Sequence, residues 1–61
     1  MNLIKEEFLK GNPHVRKFYS ISHFMDFCKR WKLDTSNSEV YYDKEEDRNY
    51  LMSDRIDPSM D

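Results

Sequence analysis

The sequence predicts a small single α+β domain: one main amphipathic helix packed on a short strand and a C-terminal β-hairpin. Three observations point there. Residues 20–33, SISHFMDFCKRWKL, carry a helical period. Two apolar clusters, Val40-Tyr41-Tyr42 and Tyr50-Leu51-Met52, flank a charged stretch, the mark of paired strands. And 61 residues allow one domain and no more.

Residues 1–10 favour a short helix, because Lys5, Glu6, Glu7, Leu9 and Lys10 are strong helix formers. Ile4 and Phe8 would stack at i,i+4, joined by Met1. The competing reading is a strand, with Ile4, Glu6 and Phe8 on one face. Gly11 sits where a helix would end, and Pro13 blocks continuation. His14 to Ser20 is β-prone and reads as a short strand. Val15, Lys17 and Tyr19 would share one face, and Phe18 would point the other way.

In the main helix, Phe27, Trp31, Phe24, Cys28, Ile21 and Met25 fill an apolar arc of roughly 160°. Ser22, His23, Asp26, Lys29 and Arg30 take the other side. Ser20 or Ser22 is placed to cap the first turn, and with Ser20 as cap, Tyr19 and Phe24 fit a hydrophobic staple. Lys29, Arg30 and Lys32 suit the negative end of the helix dipole. Lys32 falls inside the arc, where its stem can cover apolar surface. Leu33 falls outside it, so the helix is expected to fray there. Asp26 and Arg30 form an i,i+4 pair.

Residues 34–38, DTSNS, read as loop. Residues 39–53 read as two strands joined by a charged turn. Lys44 to Asp47 contains no glycine, so a longer type I turn is expected. A second helix from Lys44 to Met52 is the weaker alternative. Residues 54–61 show no period and hold Pro58. They are expected to form a flexible acidic tail beyond a domain of residues 1–53.

Composition narrows the function. A chain of this size buries only about 60% of its unfolded surface. Cys28 is the single cysteine, so no internal disulfide helps, and no cysteine–histidine cluster suggests a metal. Aromatic residues make up 15%, which supplies dense core material. A charged fraction of 36% and a mean hydropathy of -0.99 pull towards disorder in part of the chain. There is no apolar run long enough for a bilayer and no secretion signal, so cytosol is expected. The net charge of -2 is unevenly spread. Residues 1–33 hold seven bases against three acids, a net of +4, and residues 34–61 hold three against nine, a net of -6. Either the halves attract on folding or one of them faces a partner.

Candidate chemistry is sparse. Cys28 and His23 lie about 140° apart on the helix and do not converge, so His14 would have to come from another element. Asp43, Glu45, Glu46 and Asp47 lack the glycine and alternating ligands of a calcium loop. Lys29-Arg30-Trp31-Lys32 resembles a nucleic-acid patch in composition alone, because the ring and the cations point apart. Phosphate contacts through Arg16, Lys17, Lys29 and Arg30 would be opposed by the acidic half. The tyrosines among carboxylates carry more weight, since Tyr is enriched at interface hot spots.

The expectation is therefore a non-enzymatic protein with no catalytic residue, metal or cofactor. It would act as an adaptor or inhibitor that binds a larger protein, of the kind a phage encodes. Tyr41, Tyr42, Asp43, Glu45, Glu46, Asp47 and Tyr50 would present an acidic surface to a basic site, such as a nucleic-acid-binding one. The alternative is a nucleic-acid-binding regulator using the basic N-terminal half, and a third class is a homo-oligomeric structural piece.

Overall fold

The computed structural model describes residues 2–60. In chain order the elements are α1 (Leu3–Leu9), β1 (Val15–Phe18), α2 (Ile21–Trp31), β2 (Glu39–Asp43) and β3 (Arg48–Met52). The strands form one sheet in the order β1-β3-β2, with β3 antiparallel to both neighbours. Thus β1 and β2 run parallel on either side of β3, and β1 reaches β2 only by way of α2.

Both sheet faces are covered. On one, Ile4 of α1 closes on Val15 and Tyr50, with Phe8, Tyr41 and Met52 against them. On the other, Phe27 of α2 closes on Phe18, Leu33, Leu51 and Ile56, with Phe24, Cys28 and Trp31 alongside. Strand alternation makes this division: Val15 and Phe18, three apart, are both buried but on opposite faces.

The helix ends follow local chemistry. Asn2 accepts the Ile4 N–H at 2.7 Å and starts α1. Gly11, at φ +85°, ends it. There the Gly11 N–H reaches the Phe8 carbonyl and the Asn12 N–H the Glu7 carbonyl, both at 3.0 Å, a Schellman pattern. Met1, expected beside Ile4 and Phe8, lies outside the described residues. Ser20 caps α2 by accepting the His23 N–H at 3.2 Å.

Four expectations about α2 and its flanks need correction. Ile21 and Met25 belong to no core, being 60% and 62% exposed. The buried stripe is narrower than the apolar arc because α2 lies towards the β1 side of a three-stranded sheet. Leu33 does not fray but is buried. Lys32 turns left-handed at φ 56°, so the Leu33 N–H reaches back to the Cys28 carbonyl at 2.8 Å and its side chain drops onto the core. The same turn leaves Lys32 itself exposed. The Tyr19 ring is likewise exposed rather than stapled inside.

The hairpin pairs Tyr41 with Tyr50 and Asp43 with Arg48 across the four-residue turn 44–47. No glycine is needed. The Asp43 carboxylate accepts the N–H groups of Glu45 and Glu46 at 2.9 and 3.2 Å, and Asp47 takes the left-handed position at φ 56°.

The core does not stop at residue 53, as the proposed tail boundary assumed. Ile56 is 1% exposed, and Met60 packs on the α2-side cluster. The His14 ring Nδ1 donates to the Ile56 carbonyl at 2.8 Å, and the Arg16 guanidinium donates to the carbonyls of Asp57 and Met60. Ile56, four positions past the end of β3, joins Phe18, Phe27, Leu33 and Leu51 in the α2-side core. Asp61 lies outside the described residues.

Candidate functional site

The seven residues expected to meet a partner divide between inside and outside. Tyr41, Asp43 and Tyr50 project to the α1 side, since alternate residues of β2 and their cross-strand partners share a face. Tyr50 is 1% exposed. Its ring meets Phe8 edge-on at 5.4 Å and lies 6.0 Å from the half-buried Tyr41 ring. The Tyr50 hydroxyl donates to Glu46. Glu46 also receives Lys17 at 3.2 Å and Lys5 at 3.5 Å, and the buried Asp43 pairs with Lys5.

These contacts explain the acidities. Burial, then the bond to Glu46, raises the Tyr50 phenol. The Tyr50 hydroxyl and the Lys17 ammonium lower Glu46. The Lys5 bond lowers Asp43, and its counterpart raises Lys5. Asp43, Glu46 and Tyr50 are therefore joints between the halves of the chain, and of the original set they are not free for a partner. Part of the charge asymmetry is used in folding.

Tyr42, Glu45 and Asp47 remain outside. The Tyr42 hydroxyl donates to Asp47 at 2.6 Å, which raises the pKa of the phenol. Tyr42 projects to the α2 side, where it meets two residues absent from the expected site. With Tyr19 and Ile21 it borders an open groove of about 510 Å³ that also includes Asp47 and Asn49. Tyr19 is 68% exposed and lies beneath the Arg48 guanidinium, 4.9 Å from the ring centre. No local pattern reveals this grouping, because it depends on α2 starting beside the distal end of the hairpin.

A second groove, about 210 Å³, runs between α2 and β2 over Phe24, Cys28, Leu33 and Val40. It is apolar, and burial pushes the Cys28 thiol up, away from the thiolate a nucleophile needs. His23 stands on the exposed side of α2 with its ring against Phe18 at 5.5 Å, so no Cys–His pair forms there. A third, polar groove of about 520 Å³ lies by Asn12, His14, Asn37 and Asp54. Among the described residues no group of three or more His, Cys, Asp or Glu side chains is placed to hold a metal.

The cations expected to contact phosphate do not make one surface. Arg16 is bound by the C-terminal carbonyls and Lys17 by Glu46. Lys29 and Arg30 stay exposed on α2, where Arg30 folds over the half-buried Trp31 ring at 5.4 Å, closer to the aromatic than the helical wheel suggests. Among the described residues no helix is long and apolar enough to cross a membrane. Comparison with protein-family models, with characterised proteins and with solved structures gave no match.

Proposed function

We propose that the protein is a small non-catalytic adaptor or inhibitor that docks on a larger protein through the end of its hairpin. The observation that carries this reading is the grouping of exposed Tyr19, Ile21 and Tyr42 around one open groove, with Asp47 and Arg48 at its edge. Tyr and Arg dominate interface hot spots because they bring large, rigid area with a polar end. Glu45 and Asp47 are the turn carboxylates left outside, against Lys44 and Arg48. The surface is therefore less acidic than the -6 of the C-terminal half, and the partner's basic site is held by aromatic contact more than by field. Lys5 and Lys17, engaged with Asp43 and Glu46, weigh against a nucleic-acid regulator built on the N-terminal half. A reducing cytosol suits the single Cys28 thiol.

The test is capture from the host lysate by the immobilised chain, compared with Tyr19→Ala, at about 0.05 and 0.5 M salt. The expected result is one host protein retained at both salts and lost with Tyr19→Ala. A gel shift of DNA or RNA with no protein retained would support the nucleic-acid alternative instead.

A further inference from the structure

The outer edge of β2 is open. In an antiparallel ladder, alternate residues turn both backbone groups to one neighbour and the rest turn theirs to the other side. The Ser53 N–H bonds to the His14 carbonyl at 3.0 Å, so Asn49, Leu51 and Ser53 face β1 and Arg48, Tyr50 and Met52 face β2. Glu39, Tyr41 and Asp43 then face β3, and Val40 and Tyr42 turn their N–H and C=O groups outwards. Among the described residues nothing bonds to those groups. The other edge of the sheet, β1, is guarded: its Val15 N–H is taken by the Asn12 carbonyl, and Lys17 follows.

The apolar side chains left exposed collect beside the open edge. Val40 is 52% and Tyr42 46% exposed on the α2 side of β2. Ile21 borders Tyr42, and Phe24 and Cys28 border Val40, so the uncovered flank of α2, carrying Ile21 and Met25, looks towards the same edge.

We propose that a second copy of this chain occupies that edge, pairing β2 with β2 antiparallel about a two-fold axis at Tyr41. It is the one antiparallel register that pairs all five strand residues. Val40 of each chain stands opposite Tyr42 of the other, and both members of each pair turn their backbone groups towards the partner strand. Four main-chain hydrogen bonds form, with two aromatic–β-branched cross-strand pairs on one face. The sheet becomes six strands, β1-β3-β2 continuing into its own image, with the two α2 helices flanking a shared apolar floor of Val40 and Tyr42.

Charge sets a like-charge pair against a new ion pair in the second copy. Glu39 falls opposite Asp43 of the other chain, whose carboxylate already holds Lys5 and two backbone N–H groups. Lys44 lies next to it, at the cavity of about 460 Å³ that also includes Lys5 and Tyr41. Glu39 and Lys44 have no ion pair within the described chain, and the two-fold brings them together. Such a dimer does not depend on the protein-binding reading. It places two Tyr19 surfaces at opposite ends of one sheet.

Sedimentation over about 10 µM to 1 mM tests the pairing, since a five-residue edge contact belongs to the small, weak class of interface. The expected result is a concentration-dependent shift from one to two chain masses. Val40→Lys, at an exposed position, should keep the far-ultraviolet circular dichroism spectrum and abolish the shift, and Tyr19→Ala should leave it unchanged. In a Cys28→Ser background, Tyr41→Cys should give a covalent dimer under mild oxidation well before Glu39→Cys does, because residues on the axis come closest. A single chain mass at 1 mM, or a dimer that survives Val40→Lys, overturns the proposal.

Discussion

On the α2 side of the sheet, Phe18, Phe27, Leu33, Leu51 and Ile56 close on one another, with the Arg16 guanidinium over the Phe27 ring but, among the described residues, no ion pair between them. On the α1 side, Ile4, Val15 and Tyr50 share the space with Lys5, Lys17, Asp43 and Glu46. The helices explain the difference. α2 has eleven residues and offers a stripe of rings, whose burial is non-directional and large. α1 has seven, too few to hold its own shape. It presents two apolar side chains, and Lys5 supplies a directional tie to the hairpin turn. Apolar area holds one face, and ion pairs fix the position of an undersized helix on the other.

The contrast can be broken most severely at Phe27. Phe27→Ala removes a ring that meets Phe18, Trp31 and the Arg16 guanidinium. It is expected to cost about 3–5 kcal/mol, enough to unfold a domain this small. Urea denaturation or the loss of thermal cooperativity would register it.

Acid sharpens the comparison by acting on the α1 side. Folding lowers the pKa values of Asp43 and Glu46, so their contribution is present above the ordinary carboxylate values of 3.8 and 4.5 and is lost as pH falls through the lower folded values. Tyr50, Lys5 and Lys17 are raised, so their contributions are present below 10.0 and 10.5 and fade as pH rises through the folded values. The midpoint of thermal unfolding is expected to fall on both limbs. In Lys5→Met the acid limb should flatten, and stability at pH 3 should approach that at pH 7. An unchanged acid limb would mean that Lys5 is not the tie.

The smallest effect belongs to Lys32, a non-glycine residue in left-handed conformation. Lys32→Gly removes a local penalty of about 1 kcal/mol, partly offset by the freer unfolded chain. A rise of a few tenths to about 1 kcal/mol in urea midpoint measurements is expected, confined to the α2 side because Leu33 depends on that turn.

The period of residues 21–31, the Ser20 cap, the Gly11 stop, the β-prone run 14–20 and the two clusters flanking 44–47 predict both helices, three strands and their order along the chain. Each of those signals acts within a turn or between adjacent strands. Tertiary structure decided what depends on distant partners. Sequence carries no mark that β1 pairs with β3 rather than β2, since pairing is settled by which apolar faces can both be covered. Nor does it mark that Lys5 meets Asp43, 38 residues away, or that Ile56 completes the α2-side core. Tyr50 and Tyr42 have the same chemistry and sit in neighbouring strands, yet one is a buried joint and the other stands at the surface. Alternation puts them on opposite faces, Tyr50 on the central strand beneath α1 and Tyr42 on an edge strand that α2, lying towards β1, leaves uncovered; where each helix comes to rest is settled only when the whole chain has folded.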